Sequence, residues 1–271
     1  MEPFLSFKNV NVARGDAMVL HDINLTIGAG EHVAILGPNG CGKSTLLKTM
    51  TCECYPIPSP VTSVSLFGRP RWDLTQMKKR LGVVEPHLPG RPTLATTGRD
   101  AVLTGFFASS TLWPNLTITG EMEQRADRIL RLIHADDLAT VLVGHMSAGQ
   151  QRRIMIGRAL VASSSSLVGA GEGHVDGMML LLDEPSNALD LAAQRDLRSL
   201  LRGLAQGGTG IVLITHHLPD IFPEIERVVL MREGRIVAAG AKQEMLRAEV
   251  LSELFGTRIE VAERDGVYTA L

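Results

Sequence analysis

The run GPNGCGKS, Gly37 to Ser44, sets three glycines, a lysine and a hydroxyl residue at the spacing G-x-x-x-x-G-K-S. That spacing suits the binding of an anion. Glycines at 37, 40 and 42 let the backbone curl until successive N–H groups converge on phosphate oxygens, a path that larger side chains obstruct. Lys43 adds a point charge for β- and γ-phosphates, and the Ser44 hydroxyl can ligate Mg²⁺. Gly37, Pro38, Asn39, Gly40, Cys41, Gly42, Lys43, Ser44 and Thr45 are therefore candidate nucleotide-binding residues, with Cys41 read as a small filler. A plain glycine-rich turn is the competing reading, but it gives no reason for Lys-Ser at this position.

Further groups could complete that chemistry. MMLLLDEP, Met178 to Pro185, is an apolar run ending in Asp183 and Glu184. Acids at the end of a buried strand can divide their labour: Asp183 suits Mg²⁺, and Glu184 suits a general base for an attacking water. GIVLITHH puts His216 at another strand end, where it could hydrogen-bond a phosphate oxygen or simply face water. In GHMSAGQQRR, Ser147 precedes an apolar-periodic run and reads as an ordinary N-cap. If that helix start were uncapped, its open donors and partial positive charge would receive an anion.

These residues need particular elements to position them. FLSFKNVNV, VLHDINLTI and HVAIL read as strands, and HVAIL runs directly into the glycine loop and then the helical LLKTM. From about residue 94 to 162 the apolar spacing turns helical, as in RDAVLTGFF, GEMEQRADRILRLIHA and SAGQQRRIMIGRALVA. MMLLL and GIVLIT, with LAAQRDLRSLLRGLAQ between them, give the alternation of a parallel sheet with crossover helices. VVLMREGRIVAAG reads as a hairpin turning at Glu233-Gly234, and residues 163–177 as a flexible insertion.

The bulk composition narrows the function classes. With 271 residues and a formal net charge of -2, the chain has no strongly basic footprint for nucleic acid. Three cysteines, Cys41, Cys52 and Cys54, make a poor disulfide framework, and Cys52-x-Cys54 lacks the second pair a metal site would need. MEPFLSFKNV shows no leader, and no apolar run approaches the ~18 residues that cross a bilayer, so a cytoplasmic chain is expected.

Taken in order, GPNGCGKST, MSAGQ, MMLLLDEP, SNALD and ITHH resemble the motifs of ATP-binding-cassette ATPases over about residues 4–247. MSAGQ is similar to the family's signature LSGGQ, with Met146 for leucine and Ala148 for the first glycine. The resemblance implies an α/β fold with a P-loop NTPase core and mostly parallel sheet. It also implies an N-terminal antiparallel β-subdomain and an inserted helical subdomain at about 91–162, all within one nucleotide-binding domain, 1–271. ATP and Mg²⁺ are the implied cofactors. By motif position, Ser147, Gly149 and Gln150 would face the γ-phosphate of an ATP held by a second subunit's loop, which implies a head-to-tail homodimer. Asp183 matches the magnesium-associated acid, Glu184 the catalytic acid, Asp190 the D-loop aspartate that meets the partner, and His216 the switch histidine.

Two departures stand out. Arg14 occupies the place of the usual adenine-stacking aromatic, a role its planar guanidinium can also fill. EPHLPG replaces the segment that normally carries a metal- and partner-sensing glutamine, and no glutamine occurs between Gln76 and Gln124. Glu85, His87 or nothing takes its place. The resemblance implies a separate membrane-spanning permease as partner, a site on the cytoplasmic face of the membrane, and no nucleic-acid partner. The alternative is a soluble cassette ATPase acting on nucleic acid or ribosomes. Phe106, Phe107 and Trp113 either pack the helical lobe or form a docking patch for the permease.

Overall fold

The structure, a computed structural model, describes residues 2–71, 73, 76–77, 79–87, 89–163 and 178–271. Beyond Ser163, the expected insertion at 163–177 lies outside the described residues. The chain begins with strands β1 (Leu5–Arg14), β2 (Ala17–Ile27) and β3 (His32–Leu36), helix α1 (Lys43–Met50), and strands β4 (Ser63–Leu66) and β5 (Leu81–Val84). Helices α2 (Gly98–Leu103), α3 (Gly120–Leu132) and α4 (Ala148–Val161) follow, then strand β6 (Met179–Asp183) and helix α5 (Leu191–Gln206). The chain closes with β7 (Gly210–Thr215), β8 (Arg227–Arg232), β9 (Arg235–Ala241), helix α6 (Ala248–Phe255), β10 (Val261–Arg264) and β11 (Val267–Ala270).

These elements gather into two compact units, one from 1–73 with 210–271 and the other from 74–209. In the first, β3 lies between β7 and β8 and runs parallel to both. A strand buried on both faces has no reason to alternate, and Val33 to Leu36 and Ile211 to Ile214 are all fully buried. The Glu233-Gly234 turn, with both residues at positive φ, returns the chain as antiparallel β9, as its sequence predicts. Beside this core, β2, β1 and β4 form the antiparallel sheet. There Leu5, Phe7, Val10 and Val12 of β1 point inward.

In the second unit β5 and β6 pair in parallel, and α2, α3 and α4 form the helical lobe. Thr119 caps α3, whose Ala126, Ile129 and Leu130 are buried. The stretch read as RDAVLTGFF divides into α2 and a tight turn of 3-10 helix at Thr104–Phe107. Close approach requires small residues here: a Cβ on Gly105 would lie 2.1 Å from the Arg158 carbonyl oxygen, and one on Gly157 would lie 2.7 Å from Ile133 Cδ1. The fold is thus the expected α/β class, with a mostly parallel sheet, an antiparallel β-subdomain and a helical lobe.

The backbone oxygen facing Gly105 cannot swing aside as a flexible side chain would. Gly105→Ala is therefore expected to lower the unfolding free energy by about 1–3 kcal/mol. A urea melt reads this directly, and an unchanged midpoint would contradict the packing described.

Candidate functional site

The phosphate loop is shaped by its own backbone. A Cβ on Gly37 would lie 2.2 Å from the Met231 carbonyl oxygen and 2.8 Å from Cys41 Sγ, so only glycine lets the chain turn off β3 there. Gly40 and Gly42 take φ of 80° and 102°, the left-handed region that glycine enters without steric cost. Gly42 stands immediately before α1 and provides no side-chain cap, which leaves the helix's first-turn N–H groups for an anion. Lys43 is almost buried, and its Nζ donates to the carbonyl oxygens of Gly37 at 2.8 Å and Pro38 at 3.1 Å. The ammonium is thereby held over the loop.

Pro38, Asn39 and Gly40 form the more open side of this loop, Ser44 is exposed, and Thr45 is buried. The Cys41 carbonyl accepts from the Gly234 N–H at 3.0 Å, while the Gly234 carbonyl accepts from the His21 N–H at 2.8 Å. The tip of the β8–β9 hairpin is therefore a brace for the loop, a role sequence reasoning missed. Arg14 lies in the same unit, exposed, paired with Ala17 across the β1–β2 turn.

His216 follows β7, half-buried, with its ring centroid 3.8 Å from that of His217. The strand end is fixed beneath it. The buried Thr215 hydroxyl donates to Asp220 Oδ2 at 2.9 Å and accepts from the His217 N–H at 2.9 Å. Nothing in the sequence reading singled out Thr215 or Asp220.

In the second unit β6 is buried along its whole length and delivers Asp183 at 3% and Glu184 at 8% exposure. Carboxylates so far from solvent need compensation, and hard oxygen donors of this kind fit Mg²⁺. Glu184 adopts φ 48°, a left-handed conformation that costs a non-glycine residue about 1–2 kcal/mol.

Ser147 does cap α4, and more completely than expected. Its Oγ accepts from the Gln150 N–H at 3.3 Å, and Gln150 Oε1 accepts from the Ser147 N–H at 2.8 Å, a reciprocal capping box. The uncapped alternative is therefore corrected: the box leaves only the Ala148 and Gly149 N–H groups at the helix tip outside it. Gly149 also has a packing task, because a Cβ there would lie 2.8 Å from Ala193 Cβ. Ala193 donates its N–H to Asp190 Oδ1 at 2.8 Å, the cap of α5. Two motif residues matched independently thus converge on one helix contact.

The segment without the glutamine has Glu85 and His87 exposed. The carbonyl oxygens of Glu85 and Pro86 both accept from the buried Arg152 of α4. Desolvation holds the Arg152 pKa below the ordinary arginine value.

The class defined by this loop, these acids and this helix start is that of nucleotide-binding cassettes. The sequence matches the ABC transporter family over residues 20–168, and the chain belongs to that family. It is 34% identical over 250 residues to the hemin import ATP-binding protein HmuV of Hahella chejuensis, covering 91% of this chain and 90% of that one. An uncharacterized ABC transporter ATP-binding protein, YmeB of Lactococcus lactis, is 29% identical over 260 residues, covering 95% and 94%. Among solved structures, the ADP conformation of an ATP-binding cassette from an ABC transporter superposes with a TM-score of 0.75 at 22% identity, covering 94% of this chain and 95% of that one.

Lys43→Ala is expected to abolish ATP hydrolysis and greatly weaken ATP binding, because the loop loses the cation held over it. Isothermal titration with ATP alongside a phosphate-release assay checks this. Turnover at the wild-type rate would contradict it.

Proposed function

We propose that this chain is the ATP-hydrolysing subunit of an ABC transporter, acting as a head-to-tail pair beneath a separate membrane-spanning permease. Residues 1–271 are read as one nucleotide-binding domain with a helical subdomain inserted at about 91–162. The loop Gly37–Thr45 holds the β- and γ-phosphates, and Arg14 stacks on adenine. Ser44 and Asp183 hold Mg²⁺, which neutralises phosphate charge when bound. Glu184 accepts a proton from the water attacking the γ-phosphorus as the bond to ADP breaks, and His216 donates a hydrogen bond to a γ-phosphate oxygen.

The partner completes this site. Ser147, Gly149 and Gln150 build the helix start that meets the other chain's γ-phosphate, with Asp190 at the contact. The observation that carries this reading is the exposed signature surface: Ser147 is exposed, and Leu191, next to the α5 cap, is 84% exposed. An apolar side chain so open beside a helix tip with two donors outside its capping box suits an interface that forms on the nucleotide.

No helix among the described residues is long and apolar enough to cross a membrane, so we assign the span to another chain. The docking surface proposed for it centres on Trp113, which is 59% exposed and follows in the chain after half-buried Phe106 and Phe107, whose rings meet edge to face at 6.5 Å. On this reading the chain works at the cytoplasmic face of the membrane. Import is the direction to test first, since import is what the hemin relatives are named for. The soluble alternative acting on nucleic acid or ribosomes draws no support from these relatives.

Glu184→Gln is expected to bind ATP, hydrolyse it poorly and accumulate as an ATP-dependent dimer, because the amide keeps the shape and cannot take the proton. Size exclusion with and without Mg-ATP tests the pairing, and a monomer with normal turnover would overturn it. Trp113→Asp is expected to leave the fold and ATP binding intact and to abolish co-purification with a multi-span protein from native membranes. Equal recovery of that protein by mutant and wild type would remove Trp113 from the docking surface.

A further inference from the structure

One turn into α4, just past the capping box, Arg152 has 2% of its surface exposed. An arginine buried so deeply is costly unless its charge meets acceptors. Its Nη1 donates to the Glu85 carbonyl oxygen, and its Nη2 donates to the Pro86 carbonyl oxygen at 2.8 Å. A planar guanidinium can grip two successive carbonyls in this way, whereas a lysine ammonium is a single point. Nothing in this grip depends on the identity of the side chains at 85 and 86.

The gripped segment has a defined place in the sheet. Glu85 and Pro86 follow directly on β5, which runs parallel to β6 with Val84 opposite Leu182. Arg152 therefore fixes the chain where it leaves the sheet, level with the point at which β6 delivers Asp183 and Glu184. At its other end the arginine belongs to the helix that starts at Ser147 and Gln150, and so few residues of α-helix form a stiff rod of about 1.5 Å per residue. The glutamine absent from EPHLPG would have acted through a side chain reaching from this same segment. Here the connection runs the opposite way, from the signature helix to the segment's backbone.

We propose that Arg152 is a positioning residue that couples the signature helix to the chain leaving β5, so that engagement of the signature by a partner's nucleotide sets the backbone at Glu85–Pro86 beside the catalytic acids. This rests on the paired-subunit reading above. Its test is amide hydrogen exchange on the full chain carrying Glu184→Gln, with and without Mg-ATP, compared with the same chain also carrying Arg152→Met or Arg152→Lys.

With Arg152 intact, ATP is expected to protect both 147–151 and 81–87. In the Arg152 variants, protection of 147–151 persists while that of 81–87 falls by about tenfold in exchange rate. With Glu184 restored, Arg152→Lys is expected to lower kcat by about threefold to thirtyfold and leave the KM for ATP unchanged. Arg152→Lys keeps the buried charge and loses the fork, so it is the variant to read if Arg152→Met fails to fold. Equal ATP protection of 81–87 in all chains, or a wild-type kcat for Arg152→Lys, would overturn the proposal. If ATP leaves 147–151 unprotected even with Arg152 present, the paired-subunit reading fails and the coupling fails with it.

Discussion

The nucleotide-binding half of this chain depends on the close approach of Gly37 to the Met231 carbonyl, where a single added methyl group would lie 2.2 Å from the oxygen. That contact ties the start of the phosphate loop to Met231 near the end of β8, two residues before the Glu233-Gly234 turn that binds Cys41. β3 is itself clamped between β7 and β8. The loop therefore inherits its shape from strands whose central residues are buried, and the Lys43 ammonium donates to two carbonyls of the loop itself. Preorganisation of this kind lets backbone N–H groups face a phosphate without the cost of ordering them at the moment of binding.

The other unit solves a different problem with different chemistry. Its helical lobe holds the signature helix α4, and beside the buried Ile154, Ile156 and Leu160 of that helix, arginines donate to carbonyl oxygens. Arg158 reaches Ser109 at 2.9 Å, Arg153 reaches His134 at 2.6 Å, and Arg152 reaches Glu85 and Pro86. Arg125 of α3 donates to Val161 near the far end of the same helix at 2.7 Å. These carbonyls lie mostly at turns and element ends, where oxygens are left over from the ladders. A carboxylate does serve between α2 and α3, where Asp127 takes both Nε and Nη2 of Arg99 and Arg99 holds the Asp127 pKa below its usual value.

Much of this was legible in the sequence because the features are local. The loop, the strand ends at Asp183 and Thr215, the Glu233-Gly234 turn and the whole of α5 follow from patterns within a few residues. What escaped depends on separation along the chain. Arg152 looks like any arginine after a signature, and its acceptors are backbone atoms 66 and 67 positions away, which carry no side-chain signal. Gly149 reads as a phosphate-facing glycine, and its contact with Ala193, 44 positions on, arises only in the fold. Asp265-Gly266, both at positive φ, does carry a readable hairpin signal between β10 and β11, but the family motifs end before it.

In the proposed pair, an ATP held by one chain's phosphate loop touches the signature helix of the other. The most direct test of this contact uses an ATP analogue with a photoreactive group on the γ-phosphate, irradiated on a mixture of unlabelled wild-type chain and isotopically heavy chain carrying Lys43→Ala. The heavy chain cannot hold the nucleotide in its own loop. Adducts are expected on the heavy chain's peptide containing Ser147 to Gln150. Adducts confined to the unlabelled chain would contradict it, because the helix start would then serve only the nucleotide of its own subunit.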